Sequence, residues 1–213
     1  MVEIAHDLLV LLFIAIFVSN VVADSNNEDV AAAMKECGIV PDVIDIAPKE
    51  FIQIRYGHLS VNLGNELTPT QVKDIPKVDW EAEDGEYYLL CMTDPDAPSR
   101  ENPVRAQMRH WLVGNIPGDN IDEGETLTEY IGSAPGNGTG LHRYVFLVYR
   151  QPGIVHYNEI FTSNRSIFTR PNFSINDFSK KYNLGHPYAG NFYLAQYDDY
   201  TPIVRAQLGD VST

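Results

Sequence analysis

Two runs of the chain, EYYLLCMTD at residues 86–94 and LHRYVFLVYRQ at residues 141–151, carry large apolar side chains at consecutive positions. Successive side chains of a β-strand point to opposite faces, so such a strand is stable only where both faces are covered. The two runs therefore predict central strands of a sheet with packed layers above and below. EFIQIRYGHLSVNLG, residues 50–64, alternates apolar and polar side chains about Gly57 and predicts a hairpin on a half-exposed sheet. RHWLVGNIPG (109–118) reads as a strand closed by a proline–glycine turn, and GNFYLAQYDDY (190–200) as a last strand.

Helical signals are few. EDVAAAMKECG (28–38) predicts a short helix stopped by Gly38. SINDFSKKYNLG (174–185) is the clearest: Ser174 precedes Asp177 by three, an acidic capping box, and Gly185 follows the end. VPDVIDIAP (40–48) reads as extended, and LTPTQVKDIPKVDW (67–80) as a proline-punctuated connection. There is no internal repeat and no shift of composition to mark a domain boundary. Strands joined by long loops predict a mainly β fold, a mostly antiparallel sandwich with peripheral helices.

The first residues predict a secretory signal. Leu8 to Val18 form an apolar core, and Val21 and Ala23 give a small-residue cleavage pattern before Asp24. A membrane anchor is the other reading, but Ser19 and Asn20 break the apolar stretch short of a full span. The expected division is a signal peptide over 1–23 and a single domain over 24–213. The full chain carries a net charge of −14, and removal of Glu3 and Asp7 with the signal leaves −14 + 2 = −12. That balance argues against binding to nucleic acid or anionic membranes, which rely on clustered Lys and Arg. Two cysteines, Cys37 and Cys91, could form one disulfide; spacing alone leaves bridged and free forms open. Sequons stand at Asn137, Asn164 and Asn172.

Polar groups of related chemistry recur at strand ends. In DPDAPSR (94–100), Pro95 and Pro98 restrict the backbone, so Asp94 and Asp96 are held in set directions, with Arg100 expected to tie the loop to a nearby carboxylate or carbonyl. His110 opens one strand. GSAPGNGTGLHRY (132–144) has four glycines whose backbone N–H groups can approach a ligand, and it leads into His142 and Tyr144. Each piece has an ordinary reading: Asx turns, a structural histidine, turn glycines, core tyrosines. Together they describe a compact pocket in which loop N–H groups, histidine N–H groups and tyrosine hydroxyls meet a phosphoryl oxygen. Catalysis is not expected, because the chain has neither a G-x-S-x-G elbow nor an H-E-x-x-H metal motif. No metal and no cofactor are expected.

DPDAPSR, HWLVGNIPG, GTGLHRYVFLVY and YDDYTP together resemble the phosphatidylethanolamine-binding protein family, over about residues 40–208. The resemblance implies one domain with a large antiparallel sheet, a smaller flanking sheet and helices near the C-terminus. It implies a small pocket for phosphate-like or phosphorylethanolamine groups. Asp94, Asp96, His110, His142 and Tyr144 fall on pocket positions; Pro98, Gly132, Ala134 and Pro135 belong to the pocket loops, and Tyr193 is expected at the mouth. The peptide before Pro98 is implied to be cis. Two residues depart from the family pattern: Ala134 stands where relatives often have glycine, and Met108 where an aromatic is common. The function implied is that of a secreted, monomeric binder of small phosphorylated or amphiphilic ligands. An extracellular serine-protease inhibitor acting by occlusion is the alternative. A glycan on Asn137 would crowd the glycine loop, so that sequon is expected to be unused.

Overall fold

The structure is a computed structural model that describes residues 30–209, so the expected signal and its Ala23/Asp24 junction lie outside the described residues. A helix over residues 30–36 (α1) is followed by the turn Ile39–Asp42 (α2). Strands β1 (Glu50–Phe51), β2 (Gln53–Tyr56), β3 (Leu59–Ser60) and β4 (Lys77–Asp79) come next. β5 (Tyr87–Asp94), β6 (Met108–Pro117), β7 (Glu125–Thr128) and β8 (His142–Arg150) follow, with a 3₁₀ turn at Ile121–Glu123. Helix α3 (Ile175–Lys181), β9 (Ala189–Ala195) and helix α4 (Thr201–Gln207) complete the chain.

Six strands form the large sheet, in the order β1-β9-β8-β5-β6-β7, and three form the small one, β3-β2-β4. The small sheet is antiparallel, and its β2–β3 hairpin turns at Gly57, whose φ of 62° suits glycine. The large sheet is mixed rather than antiparallel, because its edge strand β1 runs parallel to β9, Glu50 facing Ala189. β1 continues through Ile52 directly into β2, so the small sheet sets its direction and β9 joins it from the other side.

The central pair justifies its composition. Tyr88, Leu90 and Met92 of β5 and Tyr144, Phe146 and Val148 of β8 face the small sheet and pack with Ile54, Val61 and Trp111. The alternate residues, Leu89 and Cys91 with Val145, Leu147 and Tyr149, face the helices and pack with Met34, Ile175 and Phe178. Each fully buried side chain of this size stabilises the fold by about 1.5–3 kcal/mol. α3 starts where the capping pattern puts it: the Ser174 hydroxyl accepts from the Asp177 N–H at 3.1 Å.

One further expectation differs. Residues 40–48 are not simply extended: the Val43 N–H closes a turn onto the Ile39 carbonyl at 2.8 Å, and Ile39, Val43 and Ile44 are buried on the helical side. The pairing of Cys37 and Cys91, left open by their spacing, is absent from the structure, where both are free. Cys91 is enclosed in mid-sheet between β6 and β8, whereas Cys37 is half-buried just beyond α1. Among the described residues no helix is long and apolar enough to cross a membrane.

Candidate functional site

Strand polarity gathers the candidate residues. β5 is antiparallel to both β6 and β8, so its C-terminal end meets the N-terminal ends of the other two. Asp94 pairs with Met108, and Thr93 faces Arg109 on one side and Val145 on the other. One end of the sheet thus carries Asp94, His110, His142 and Tyr144, and there they line a cavity of about 50 Å³. Pro98, Met108 and Ala134 also line it, and the Ala97–Pro98 peptide is cis, as the family resemblance implies.

The two aspartates have different tasks. One oxygen of Asp94 accepts the Asp96 N–H at 2.7 Å, and the other pairs with His142 Nδ1 at 2.9 Å. Asp96 turns away from the cavity. Its carboxylate takes the Arg143 backbone N–H (2.9 Å), Nε (2.9 Å) and Nη2 (2.7 Å), in a pair of which both members are buried. In β8, His142 and Tyr144 share one face and Arg143 takes the other, which draws Asp96 outward. Arg143 also binds the Cys37 carbonyl and Asp42, and Arg100 binds the same carbonyl at 2.9 Å. The proline loop is therefore tied to α1 and α2, with Arg100 on a carbonyl.

His110 is buried, and its Nδ1 lies 3.1 Å from the Ile131 carbonyl, so Nδ1 carries the proton and donates. Burial pushes its pKa down to about 4, outweighing the upward pull of Asp94. The ring is neutral near pH 7, and Nε2 then bears a lone pair. The expectation that both histidines donate to a phosphoryl oxygen is corrected on this point: neutral His110 offers a ligand an acceptor, and becomes a donor only on taking up a proton. Beneath it, buried Arg170 donates to the carbonyls of Arg109, His110, Glu129, Ser163 and Ser166, which pins the backbone that carries the histidine.

The Tyr144 hydroxyl is fully buried, beside the Asp94 carboxylate and the Ala134 backbone, with no well-formed hydrogen bond to either. An orphaned buried hydroxyl costs about 1–3 kcal/mol, so a bound acceptor would relieve it. Tyr193 is not at the mouth. It lies directly across from Tyr144 in the β8–β9 ladder and stacks behind it, with ring centroids 5.1 Å apart, and is itself fully buried.

The glycine loop is also less open than expected. The Thr139 hydroxyl lies 2.9 Å from both His142 Nε2 and the Gly136 carbonyl, so the loop folds onto the histidine. Of that loop's candidates Ala134 alone reaches the cavity. Pro135 is buried off its wall, and Gly132 passes so close to the Val72 carbonyl that a Cβ would lie 2.6 Å from it. Asn137 is exposed at the loop tip, Asn172 is exposed, and Asn164 is half-buried.

Sequence reasoning missed the two basic wall residues, Arg105 and Arg205, along with apolar ones such as Ile131 and Leu208. Arg205 comes from α4, which Val204 and Leu208 clamp over the pocket by packing on Ile131. Its Nε reaches the Ala134 carbonyl at 3.4 Å. The i, i+3 spacing of Arg205 and Leu208 after YDDYTP was the available signal, since both then face one way on a helix. Among the described residues no group of three or more His, Cys, Asp or Glu gathers as a metal site.

Comparison with known proteins agrees with this architecture. The family model for phosphatidylethanolamine-binding protein matches residues 45–193. A Drosophila melanogaster protein named "Putative odorant-binding protein A5" is 36% identical over 191 residues, covering 89% of this chain and 91% of its own. The 26 kDa secreted antigen of Toxocara canis is 45% identical over 163 residues, 75% of this chain and 61% of that one. Among solved structures, carboxypeptidase Y inhibitor, complexed with its cognate proteinase, superposes with a TM-score of 0.71. It is 27% identical, over 81% of this chain and 97% of the inhibitor. The family match, the two relatives and the shared fold lead to one assignment: the chain belongs to the phosphatidylethanolamine-binding protein family.

Proposed function

We propose that this chain is a secreted, non-enzymatic binding protein, a single domain over 24–213 freed of residues 1–23, whose pocket takes a phosphate or phosphorylethanolamine-type headgroup. The observation that carries this reading is the orphaned, fully buried Tyr144 hydroxyl in a cavity also walled by His110 and by the two arginines Arg105 and Arg205. A headgroup brings acceptor oxygens to the tyrosine and the guanidinium groups. A monoprotonated phosphate can in addition donate its proton to the bare Nε2 of His110. Asp94 stays with His142 and helps to hold that ring in place.

Size sets the ligand class. A cavity of about 50 Å³ has room for roughly four water molecules, which suits a phosphate group and not a diacyl lipid. Extracting a bilayer lipid would also cost about 0.8 kcal/mol for each methylene left in water. The names of the antigen and the odorant-binding relative support an extracellular location.

Protease inhibition is the second reading, favoured by the likeness to an inhibitor solved with its proteinase. Calorimetric titration with phosphorylethanolamine, on the parent and on the double variant Asp94→Asn/His110→Gln, separates the two. Saturable binding lost in the variant supports the headgroup reading. Absence of binding in the parent, with inhibition of an extracellular serine protease intact in both proteins, replaces it with the second.

A further inference from the structure

A second concave site lies apart from the headgroup pocket and shares no wall residue with it. It is a trough of about 490 Å³ between the edge strands of the two sheets, β4 of the small one and β7 of the large one. β4 has only three residues, and the trough runs beside it down to the inner side of β6. The floor is sandwich core: Trp111, Val113, Tyr130 and Val78, all buried. Ile75 and Phe161 stand at its sides, 66% and 57% exposed, so apolar surface continues from the floor outward.

The rim carries the opposite chemistry. Asp79, Asp119, Asp122 and Glu129 line the trough with one base, Lys77, a local balance of −4 + 1 = −3. None of the four carboxylates is in an ion pair with another described residue. An apolar, aromatic floor with exposed apolar flanks favours an apolar body, and a largely exposed negative rim favours a positive head. The exposed ring of Phe161 also attracts an alkylated ammonium. We propose that this trough is a binding site for small cationic amphiphiles, organic ammonium ions with an apolar tail or ring. The site is independent of the headgroup pocket and neither requires it nor follows from it.

The full chain carrying Trp80→Phe tests this, because Trp111 is then the sole tryptophan and reports from the floor. Three probes share one tail: octyltrimethylammonium, octyl sulfate and octanol, each titrated below its micelle concentration. The ammonium is expected to bind saturably, at least tenfold tighter than the sulfate, and to weaken with added salt as exposed rim charges are screened. Adding Asp79→Asn with Asp122→Asn, both exposed positions, is expected to weaken the ammonium at least tenfold and leave octanol unchanged. Thr126→Trp, which fills the trough, is expected to weaken both; its fluorescence is replaced by calorimetry. Excess inorganic phosphate is expected to displace none of the probes. No saturable ammonium binding, equal affinity for sulfate and ammonium, or indifference to loss of the two carboxylates would each overturn the proposal.

Discussion

Burial of neutral His110 makes the fold sensitive to mild acid, with a sign and a size that follow from the site. The ordinary imidazole value is 6.5 and the folded value is about 4. Between those values the unfolded chain binds a proton that the folded chain refuses, so stability is complete above pH 6.5 and falls as pH drops towards 4. At 1.36 kcal/mol per pH unit the loss is roughly 3 kcal/mol, a large share of the 5–15 kcal/mol that holds a typical domain. Asp94 opposes this loss and Arg170 adds to it, but burial of the ring dominates. The test is urea denaturation from pH 7.5 to pH 4 for the parent and for His110→Gln, whose amide can still donate to the Ile131 carbonyl. Other titrating groups are common to both proteins and cancel in the difference. The parent should lose roughly 3 kcal/mol more than the variant across this range. Parallel stability curves would refute the reasoning and would mean that His110 is solvated or paired as an imidazolium.

Asp96→Ala strips the buried Arg143 guanidinium of its closest partner, leaving the exposed Asp42 to compensate. It should cost about 3 kcal/mol in denaturant unfolding; a loss under about 1 kcal/mol would show that the pair is not structural. Gly132→Ala drives a Cβ to 2.6 Å from the Val72 carbonyl, a backbone atom that cannot swing aside, and should cost about 1–3 kcal/mol. An unchanged melting temperature would contradict that contact. For the cysteines, alkylation without reductant followed by mass spectrometry should find both labelled in denaturant and Cys37 alone in the native state. Burial raises both thiols, Cys91 to about 12, so native labelling of Cys37 should be slow. Failure of both to react in denaturant would reveal a disulfide.

The central layers were legible in the sequence because their cause is local. Consecutive apolar residues at 88–92 and 144–149 state that both faces are covered, and the alternation of Leu90 and Leu89 between the two cores is the same fact in three dimensions. The Ser174 cap is local too. What failed depends on which side of a strand a group is drawn to, or on a distant segment. Asp94 and Asp96 look alike in DPDAPSR, and only Arg143, 47 residues on, decides that the second turns away. Tyr193 is polar-tipped and near the end of the chain, yet its register opposite Tyr144 buries it. Arg105 and Arg205 come from a loop and a helix whose placement over the strand ends is a tertiary property. The parallel edge strand β1 belongs to the same class, since it depends on where the small sheet docks.

A heteronuclear NMR titration with phosphorylethanolamine reads out whether one end of the large sheet binds a phosphate-type headgroup. Ring signals of His110 and His142 and amide signals of residues 131–136 are followed at neutral pH. Saturable shifts are expected at both rings, with a His110 Nε2 that gains proton character as ligand binds. No shift of either ring at millimolar phosphorylethanolamine would contradict headgroup binding there.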